Sequence, residues 1–202
     1  MTHAALGVRA HSGWAVVVVV ERPSNAPAVV DRRRIEIADT GIAGSTQPYH
    51  AAAELDPGKA DGFVQGCADS TRLLAERAVR AVIGDLKGRG YRVCGGGILL
   101  GSGRPLPGLA TILASHALIH TAEGELFRGA LTQAIQRCGL PVTSVREREL
   151  WPQGEAKLHK PVTELQRYVT EMGRRIGPPW RQDEKHAALV GWLALAEFLV
   201  EC

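Results

Sequence analysis

The chain has 202 residues, of which 45% are hydrophobic and 22% are charged, and its formal net charge at pH 7 is +3. This composition is typical of a soluble protein with one sizeable core, so we predict a single domain over residues 1–202 in the cytoplasm. No apolar run is long enough to span a bilayer, so we expect no membrane anchor. The chain also lacks the strong basic surplus of typical nucleic-acid-binding proteins. Nucleic acid is therefore a permitted partner rather than an indicated one, and the sequence does not define the oligomeric state.

The N-terminal third contains three strand-like segments, which read AALGV, WAVVVVVE and AVVDRRRIEIAD. β-Branched residues dominate the second segment, and the third ends in apolar–polar alternation, as strands prefer. Because the valines Val16–Val20 do not alternate with polar residues, we expect their strand to be covered on both faces. Short connections, including the turn-forming RPSNAP, predict an antiparallel arrangement of the three strands.

After about Asp61 the pattern changes, and apolar residues recur at helical spacing as far as Gly88 and Gly90. The elements predicted after this helix are a strand (YRVCGGGILLGSG), a helical region over Leu109–Arg137, a strand (PVTSVRE), a helix over Thr163–Arg175 and a last helix (DEKHAALVGWLALAEFL). The segment DTGIAGSTQPYHAAAELDPG is predicted to be a loop, and WPQGEAKLHK a polar connection. Strands four and five are each reached through a helix, so they should run parallel to strand one.

The four cysteines are scattered along the chain, at Cys67, Cys94, Cys138 and Cys202. None of their spacings matches a zinc or redox motif. We therefore expect small, buried thiols in a reducing cytosol rather than disulfide bonds.

Two motifs point to a known family. The stretch LGVRAHSG resembles the first strand and turn of the ribonuclease H-like superfamily, in its Holliday-junction resolvase branch, and DEKHAALVGWLAL resembles the last helix of that branch. The order of elements resembles the same superfamily over most of the chain. The resemblance implies an α/β fold with a mixed five-stranded sheet, in the order 3-2-1-4-5, and helices on both faces.

The resemblance also implies a nuclease site in which clustered carboxylates hold two divalent metal ions. Asp183 and His186 match the ligand pair of the last helix, but Arg9 stands where the family's first strand carries an aspartate. The fourth strand, ending ILLGSGRP, has no carboxylate where the family usually has one. Since a guanidinium repels a cation, we expect magnesium-dependent cleavage of nucleic acid to be absent or very weak. Arg9 should either reach solvent or pair with a carboxylate, for which Asp183, Glu184 and Glu123 are the candidates.

A second candidate site lies in the stretch SHALIHTAEGELFR. His116, His120 and Glu123 are spaced at i, i+4 and i+7, so on one helix they would share a face and could bind a transition metal such as zinc. That face coincides with the predicted buried stripe, so in one alternative each residue only satisfies hydrogen bonds in the core. In another, Thr121 caps a separate helix and Glu123 is a first-turn acid. A divalent metal is thus the one cofactor for which the sequence offers ligands.

Arg9 and three further residues are candidates for contacts with a substrate. His11 and Ser12 follow the first strand and could contact a phosphate or a substrate hydroxyl; in the alternative, Ser12 and Gly13 only shape a hairpin turn. Arg104 in GSGRP, together with nearby backbone N–H groups, could bind an anion.

Three functions stay open on the sequence. The first is a remodelled phosphodiester-directed or metal-dependent enzyme, with His11, Glu123, Asp183 and His186 as catalytic residues. The second is a catalytically inactive binding or assembly module on the same fold. The third is a small-molecule enzyme on that scaffold, since a fold does not determine a function.

Overall fold

The computed structural model describes residues 2–21, 27–101 and 105–198 of the chain. Its centre is one sheet of five strands: β1 (Thr2–Ala10), β2 (Trp14–Glu21), β3 (Ala28–Glu36), β4 (Tyr91–Leu100) and β5 (Val142–Arg146). The order across the sheet is β3-β2-β1-β4-β5. β2 is antiparallel to β1 and β3, whereas β4 is parallel to β1 and β5 is parallel to β4. The predicted fold class and strand order are confirmed.

The parallel pairing decides where functional side chains can meet. Val8 of β1 is level with Ile98 of β4, so the carboxyl ends of these two strands lie at the same edge of the sheet. β5 ends at this edge as well, because Leu100 pairs with Arg146. Residues that follow β1, β4 and β5 are therefore neighbours in space, although they lie far apart in the sequence.

Helices cover both faces of the sheet, and each face has its own hydrophobic core. Helices α2 and α4 pack on one face, and α5, α6 and α7 pack on the other. In the described part of the chain the α-helices are α1 (Pro48–Ala53), α2 (Pro57–Gly88), α3 (Leu109–Leu113), α4 (His116–Arg137), α5 (Leu150–Leu158), α6 (Val162–Ile176) and α7 (Gln182–Phe198). The valines of β2 confirm the prediction of a doubly covered strand: Val17 and Val19 belong to the first core, and Val16, Val18 and Val20 to the second.

Helix α7 lies unusually close to the sheet. A Cβ atom built on Gly7 of β1 would overlap the carbonyl oxygen of Ala187, and one built on Gly97 of β4 would overlap that of Val190. On the helix side, a Cβ atom on Gly191 would lie 2.9 Å from the backbone nitrogen of Gly7. Glycine at these positions allows helix backbone to touch strand backbone, and this contact sets the position of α7 against β1 and β4.

Three helix predictions outside the region Leu109–Arg137 need correction. The long helix α2 begins at Pro57 rather than near Asp61, since proline is well suited to a first helical turn. The predicted loop contains the short helix α1, and the predicted polar connection contains α5. Both short helices lie against longer ones, α1 against α2 and α4, and α5 against α6 and α7. Tertiary packing of this kind stabilises helices that local sequence alone does not predict.

The predicted helical region over Leu109–Arg137 is two helices rather than one. Ser115 has extended backbone angles (φ −137°, ψ 112°) and separates α3 from α4. Within α4, His116 and His120 are exposed rather than part of the buried stripe, whereas Glu123 is buried. The alternative in which Thr121 caps a helix is wrong, because α4 already begins at His116.

The cysteine prediction is wrong for one residue. Cys94 is disulfide-bonded, whereas Cys67 and Cys138 are free thiols. No helix in the described part of the chain is both long and apolar enough to cross a membrane. Most of the predicted RPSNAP turn lies outside the described residues.

Candidate functional site

Arg9 lies at the carboxyl end of β1, and its side chain is only 18% exposed. Its Nε donates to Oδ1 of Asp183 at 2.8 Å, and its Nη1 lies 2.9 Å from Oε1 of Glu147. Nη1 also donates to Nδ1 of His186 at 2.7 Å. One guanidinium thus joins the end of β1 to helix α7 and to the turn that follows β5.

The environment of His186 favours its neutral ring. Burial lowers its pKa below the ordinary value of 6.5, and the Arg9 guanidinium lowers that pKa further, while Glu147 and Asp183 oppose the shift. A neutral ring also fits the hydrogen bond, because arginine has no acceptor and Nδ1 must therefore accept. The edge of the Trp151 ring faces the imidazole, with 6.0 Å between ring centroids.

His11 extends the group into the turn after β1. Its ring stacks on Trp14 at 4.0 Å between centroids, and the guanidinium of Arg34 lies 3.9 Å from the centre of the Trp14 ring. His11 Nε2 lies 3.1 Å from Oδ2 of Asp183, but the angles do not satisfy a hydrogen bond. This nitrogen has no hydrogen-bond partner in the described part of the chain. Burial lowers the pKa of His11, although Asp183 partly opposes this effect.

We call these five residues the Arg9 cluster: Arg9, His11, Glu147, Asp183 and His186. Four of them are sequence-predicted site residues that the fold brings together. Sequence reasoning missed Glu147, although a signal was present, since an acid directly after a predicted parallel strand must lie at the shared edge. The cluster combines one fixed cation, two carboxylates and two imidazoles whose pKa values are lowered.

The side chain of a second arginine, Arg128 of helix α4, lies at the end of β4. A Cβ atom on Gly101 would lie 2.6 Å from Nη2 of Arg128, so the guanidinium covers the position that follows this strand. Nη2 of Arg128 donates to Glu125 at 2.9 Å, while its buried Nε has no hydrogen-bond partner among the described residues. Arginine therefore occupies the carboxyl ends of both β1 and β4.

A groove of about 400 Å³ lies beside the Arg9 cluster, and it is lined by Trp14, Val16, Arg32, Arg33, Arg34, Pro179, Arg181, Asp183 and Glu184. Carbonyl oxygens of residues 177–179 hold the Arg32 guanidinium in place. No carboxylate of the described residues pairs with the side chain of Arg32 or Arg181, whereas Arg33 and Arg34 are both paired. The groove therefore contains two guanidinium groups that form no ion pair with a carboxylate of the described residues.

Three histidines form a separate group. His116 and His120 lie on the first turns of α4, with 3.0 Å between their Nε2 atoms, and His50 of α1 lies beside them. One ligand nitrogen from each ring fits within a span of 4.8 Å. Glu123 is not grouped with the Arg9 cluster, because its Oε1 accepts from Nδ1 of His50 at 2.9 Å.

Other predicted residues lie apart from both groups. Ser12 is exposed in the β1–β2 turn. Glu184 does not pair with Arg9; its Oε2 accepts from the backbone N–H of Arg181 at 2.7 Å. Arg104 lies outside the described residues.

The topology and helix placement define the ribonuclease H-like fold, in the form found in Holliday-junction resolvases. The chain is similar to Thermus thermophilus RuvC in complex with Holliday junction substrate, with a TM-score of 0.54 and 10% identity over 98% of this chain and 96% of that one. It is also similar to a second Thermus thermophilus RuvC structure, with a TM-score of 0.51 and 12% identity over the same shares of each chain. No protein-family model and no curated protein sequence matches the chain.

Proposed function

We propose that this protein is a ribonuclease H-like module that binds structured nucleic acid and does not cleave it with magnesium. The observation that carries the proposal is Arg9, whose guanidinium engages Asp183 and Glu147 at 2.8 and 2.9 Å. Within this proposal the chain is a single domain of residues 1–202 that acts in the cytoplasm.

Electrostatics favours the loss of magnesium-dependent cleavage. A two-metal mechanism needs carboxylates free to bind two hard cations. In the Arg9 cluster the carboxylates of Asp183 and Glu147 already pair with a cation that does not dissociate. Arg128 adds a second positive charge where β4 ends. A divalent ion would have to displace one guanidinium and approach another.

The groove beside the cluster supports phosphate binding. Arg32 and Arg181 line it without carboxylate partners. The Arg32 guanidinium already donates to carbonyl oxygens and adds positive charge, whereas the Arg181 side chain has no such partner among the described residues, and arginine binds phosphate oxygens strongly through its planar fork. Trp14 does not add a base-stacking surface, because His11 covers one face and the Arg34 guanidinium lies over the ring as well. We therefore expect recognition of backbone shape rather than of base sequence. The relative with a Holliday junction bound has the same fold, which makes branched DNA the first ligand to test.

Fluorescence anisotropy with a four-way junction, a duplex and a single strand tests the binding. We expect Arg181→Ala to weaken junction binding and to lower the slope of log K against log salt by about 0.9, the share of one phosphate contact. Arg92→Ala is the matched control, because Arg92 is exposed near the start of β4, towards the opposite edge of the sheet. Absence of binding to all three nucleic acids would contradict the module.

The same preparations test cleavage. We expect no cutting of the junction or the duplex in magnesium. Robust magnesium-dependent cutting that Asp183→Ala abolishes would overturn the proposal.

A second candidate function is metal-free phosphodiester chemistry at His11. Burial lowers the pKa of His11 and so favours the neutral ring that a general base needs, and Nε2 faces the Asp183 carboxylate. Incubating an RNA strand with the protein in EDTA tests this function. Cleavage that His11→Ala abolishes would favour the enzyme over the inactive module.

A further inference from the structure

We propose that His50, His116 and His120 form a binding site for a transition metal of the zinc class, with Glu123 orienting His50 from behind. The site shares no residue with the Arg9 cluster, and no hydrogen bond or ion pair among the described residues joins the two. It therefore does not rest on the proposed function.

The ligand geometry is close to that of a bound zinc ion. His116 and His120 are one helical turn apart on α4, so their rings lie on the same face. Their Nε2 atoms are 3.0 Å apart, and two nitrogens on a tetrahedral zinc, with bonds of about 2.0–2.1 Å, lie roughly 3.3 Å apart. The ligand atom of His50 lies within 4.8 Å of both. The exposed imidazoles of His116 and His120 can shorten these distances by small rotations about their side-chain bonds.

Tertiary packing brings His50 to this place. Ile112 of α3 and Ile119 and Ala122 of α4 form a small buried cluster, and Tyr49 of α1 packs against it. Tyr49 directly precedes His50 in the sequence, so the apolar contact that positions α1 also places the His50 ring beside His116 and His120. No local pattern in the sequence predicts this contact, which explains why sequence reasoning placed Glu123 rather than His50 in the ligand set.

Glu123 supports the site by holding His50 through hydrogen bonds. Its side chain is 2% exposed, and its Oε1 accepts both from Nδ1 of His50 at 2.9 Å and from the backbone N–H of that residue at 3.2 Å. A proton held on Nδ1 leaves the lone pair of Nε2 free for a metal, and this carboxylate–histidine–metal arrangement is common in zinc sites. A divalent cation bound by His50 would also lie near the buried Glu123 carboxylate and partly compensate its charge.

The donor set selects the metal class. Three imidazole nitrogens suit zinc, cobalt, nickel or copper, whereas magnesium prefers oxygen ligands. His116 and His120 are exposed, so a fourth coordination position would face solvent. Open sites of this kind bind an exchangeable water or an anion.

The test uses protein without an affinity tag. Zinc is added, excess is removed by dialysis, and bound zinc per chain is measured by plasma mass spectrometry; a chelator competition then gives the affinity. We expect one zinc per wild-type chain and none in His120→Ala. Glu123→Gln, which keeps an acceptor for His50, should weaken binding by about 10–100-fold. Magnesium should not compete.

His159→Asn is the matched control, because it removes an exposed histidine outside the site, and asparagine tolerates the left-handed backbone found there. Its zinc binding should equal that of the wild type. No stoichiometric zinc in the wild type, or equal affinity in His120→Ala, would overturn the site.

X-ray absorption at the zinc edge of the wild type keeps the proposal testable should a variant not fold. Three imidazole ligands are expected, and fewer than three, or sulfur ligation, would contradict the proposal. Because the junction-binding and cleavage assays involve other residues, failure of the metal site leaves the proposed function unaffected.

Discussion

At the scale of single residues, Arg9 holds together groups that would otherwise repel one another. Its guanidinium lies between Asp183 and Glu147 in a largely buried position and also donates to His186. Arg9 is largely buried, whereas the side chains of Asp183 and Glu147 are 32% and 47% exposed, so solvent screens part of the charge that is left when one partner is removed. On this basis we infer that Arg9 acts as a covalently attached substitute for a bound cation.

We expect Arg9→Asp to lower the free energy of unfolding in EDTA by about 1–2 kcal/mol, because the new carboxylate would face those of Asp183 and Glu147, whose partial exposure lets solvent screen the repulsion. Magnesium or manganese should restore part of the loss, since an ion that binds only the folded state stabilises it. Thermal melting with and without divalent ions measures both effects.

The matched control is Arg9→Met, which keeps much of the side-chain volume without a charge. It should be destabilised but insensitive to the ions. If Arg9→Asp has the melting temperature of the wild type with and without the ions, Arg9 does not substitute for a bound cation.

At the scale of elements, helix α7 determines the geometry of the Arg9 cluster. It carries Asp183 and His186 in its first turns, and its backbone lies directly against β1 and β4. Most of the helix is buried, from Ala187 to Leu195. A change in the spacing between α7 and the sheet would therefore move two cluster residues relative to Arg9.

We expect Gly97→Ala to lower the free energy of unfolding by roughly 1–3 kcal/mol, because the added methyl group meets a backbone carbonyl oxygen that cannot rotate away. Gly84→Ala on α2 is the matched control. Gly84 is exposed and has nothing within 4 Å of an added Cβ, so alanine should stabilise that helix by about 1 kcal/mol. Urea denaturation measures both, and equal stability of the two variants would refute the close contact.

At the scale of the whole molecule, the two cluster histidines make stability depend on pH. Burial lowers the pKa of both His11 and His186 below 6.5, and Arg9 lowers both further, with Arg34 adding to the lowering at His11. Asp183 opposes the shift at both histidines, and Glu147 also opposes it at His186. Between the folded and unfolded pKa values the unfolded chain binds more protons, so the free energy of unfolding rises with pH in that window. The stabilisation is full above about pH 6.5 and is lost as the pH falls through the lower, folded values.

We expect the free energy of unfolding to fall between pH 7 and pH 5, with a slope of at most about 1.4 kcal/mol per pH unit for each histidine. Chemical denaturation at a series of pH values measures this slope. His186→Asn, whose amide oxygen can replace Nδ1 as the acceptor for Arg9, should flatten the curve. His159→Asn should not, and a curve unchanged by His186→Asn would contradict the assignment.

Local patterns account for much of this fold. The five strands, the doubly covered valines of β2 and the last helix follow from hydrophobic periodicity and turn signals, which depend on residues close in the sequence. The strand order is implied by the resemblance to the ribonuclease H-like superfamily, together with the change from consecutive strands to alternating helices and strands. The same resemblance selects Arg9, Asp183 and His186 as site residues, and His11 is selected because it follows the first strand.

The contacts that make the two candidate sites depend on packing between distant segments. Glu147 reaches Arg9 only because β5 runs parallel to β4 at the shared edge. His50 meets His116 and His120 only because α1 packs on α4. Side-chain periodicity encodes which face a residue occupies within its own element. The partner on that face is decided by tertiary packing, because it depends on how whole elements lie against one another.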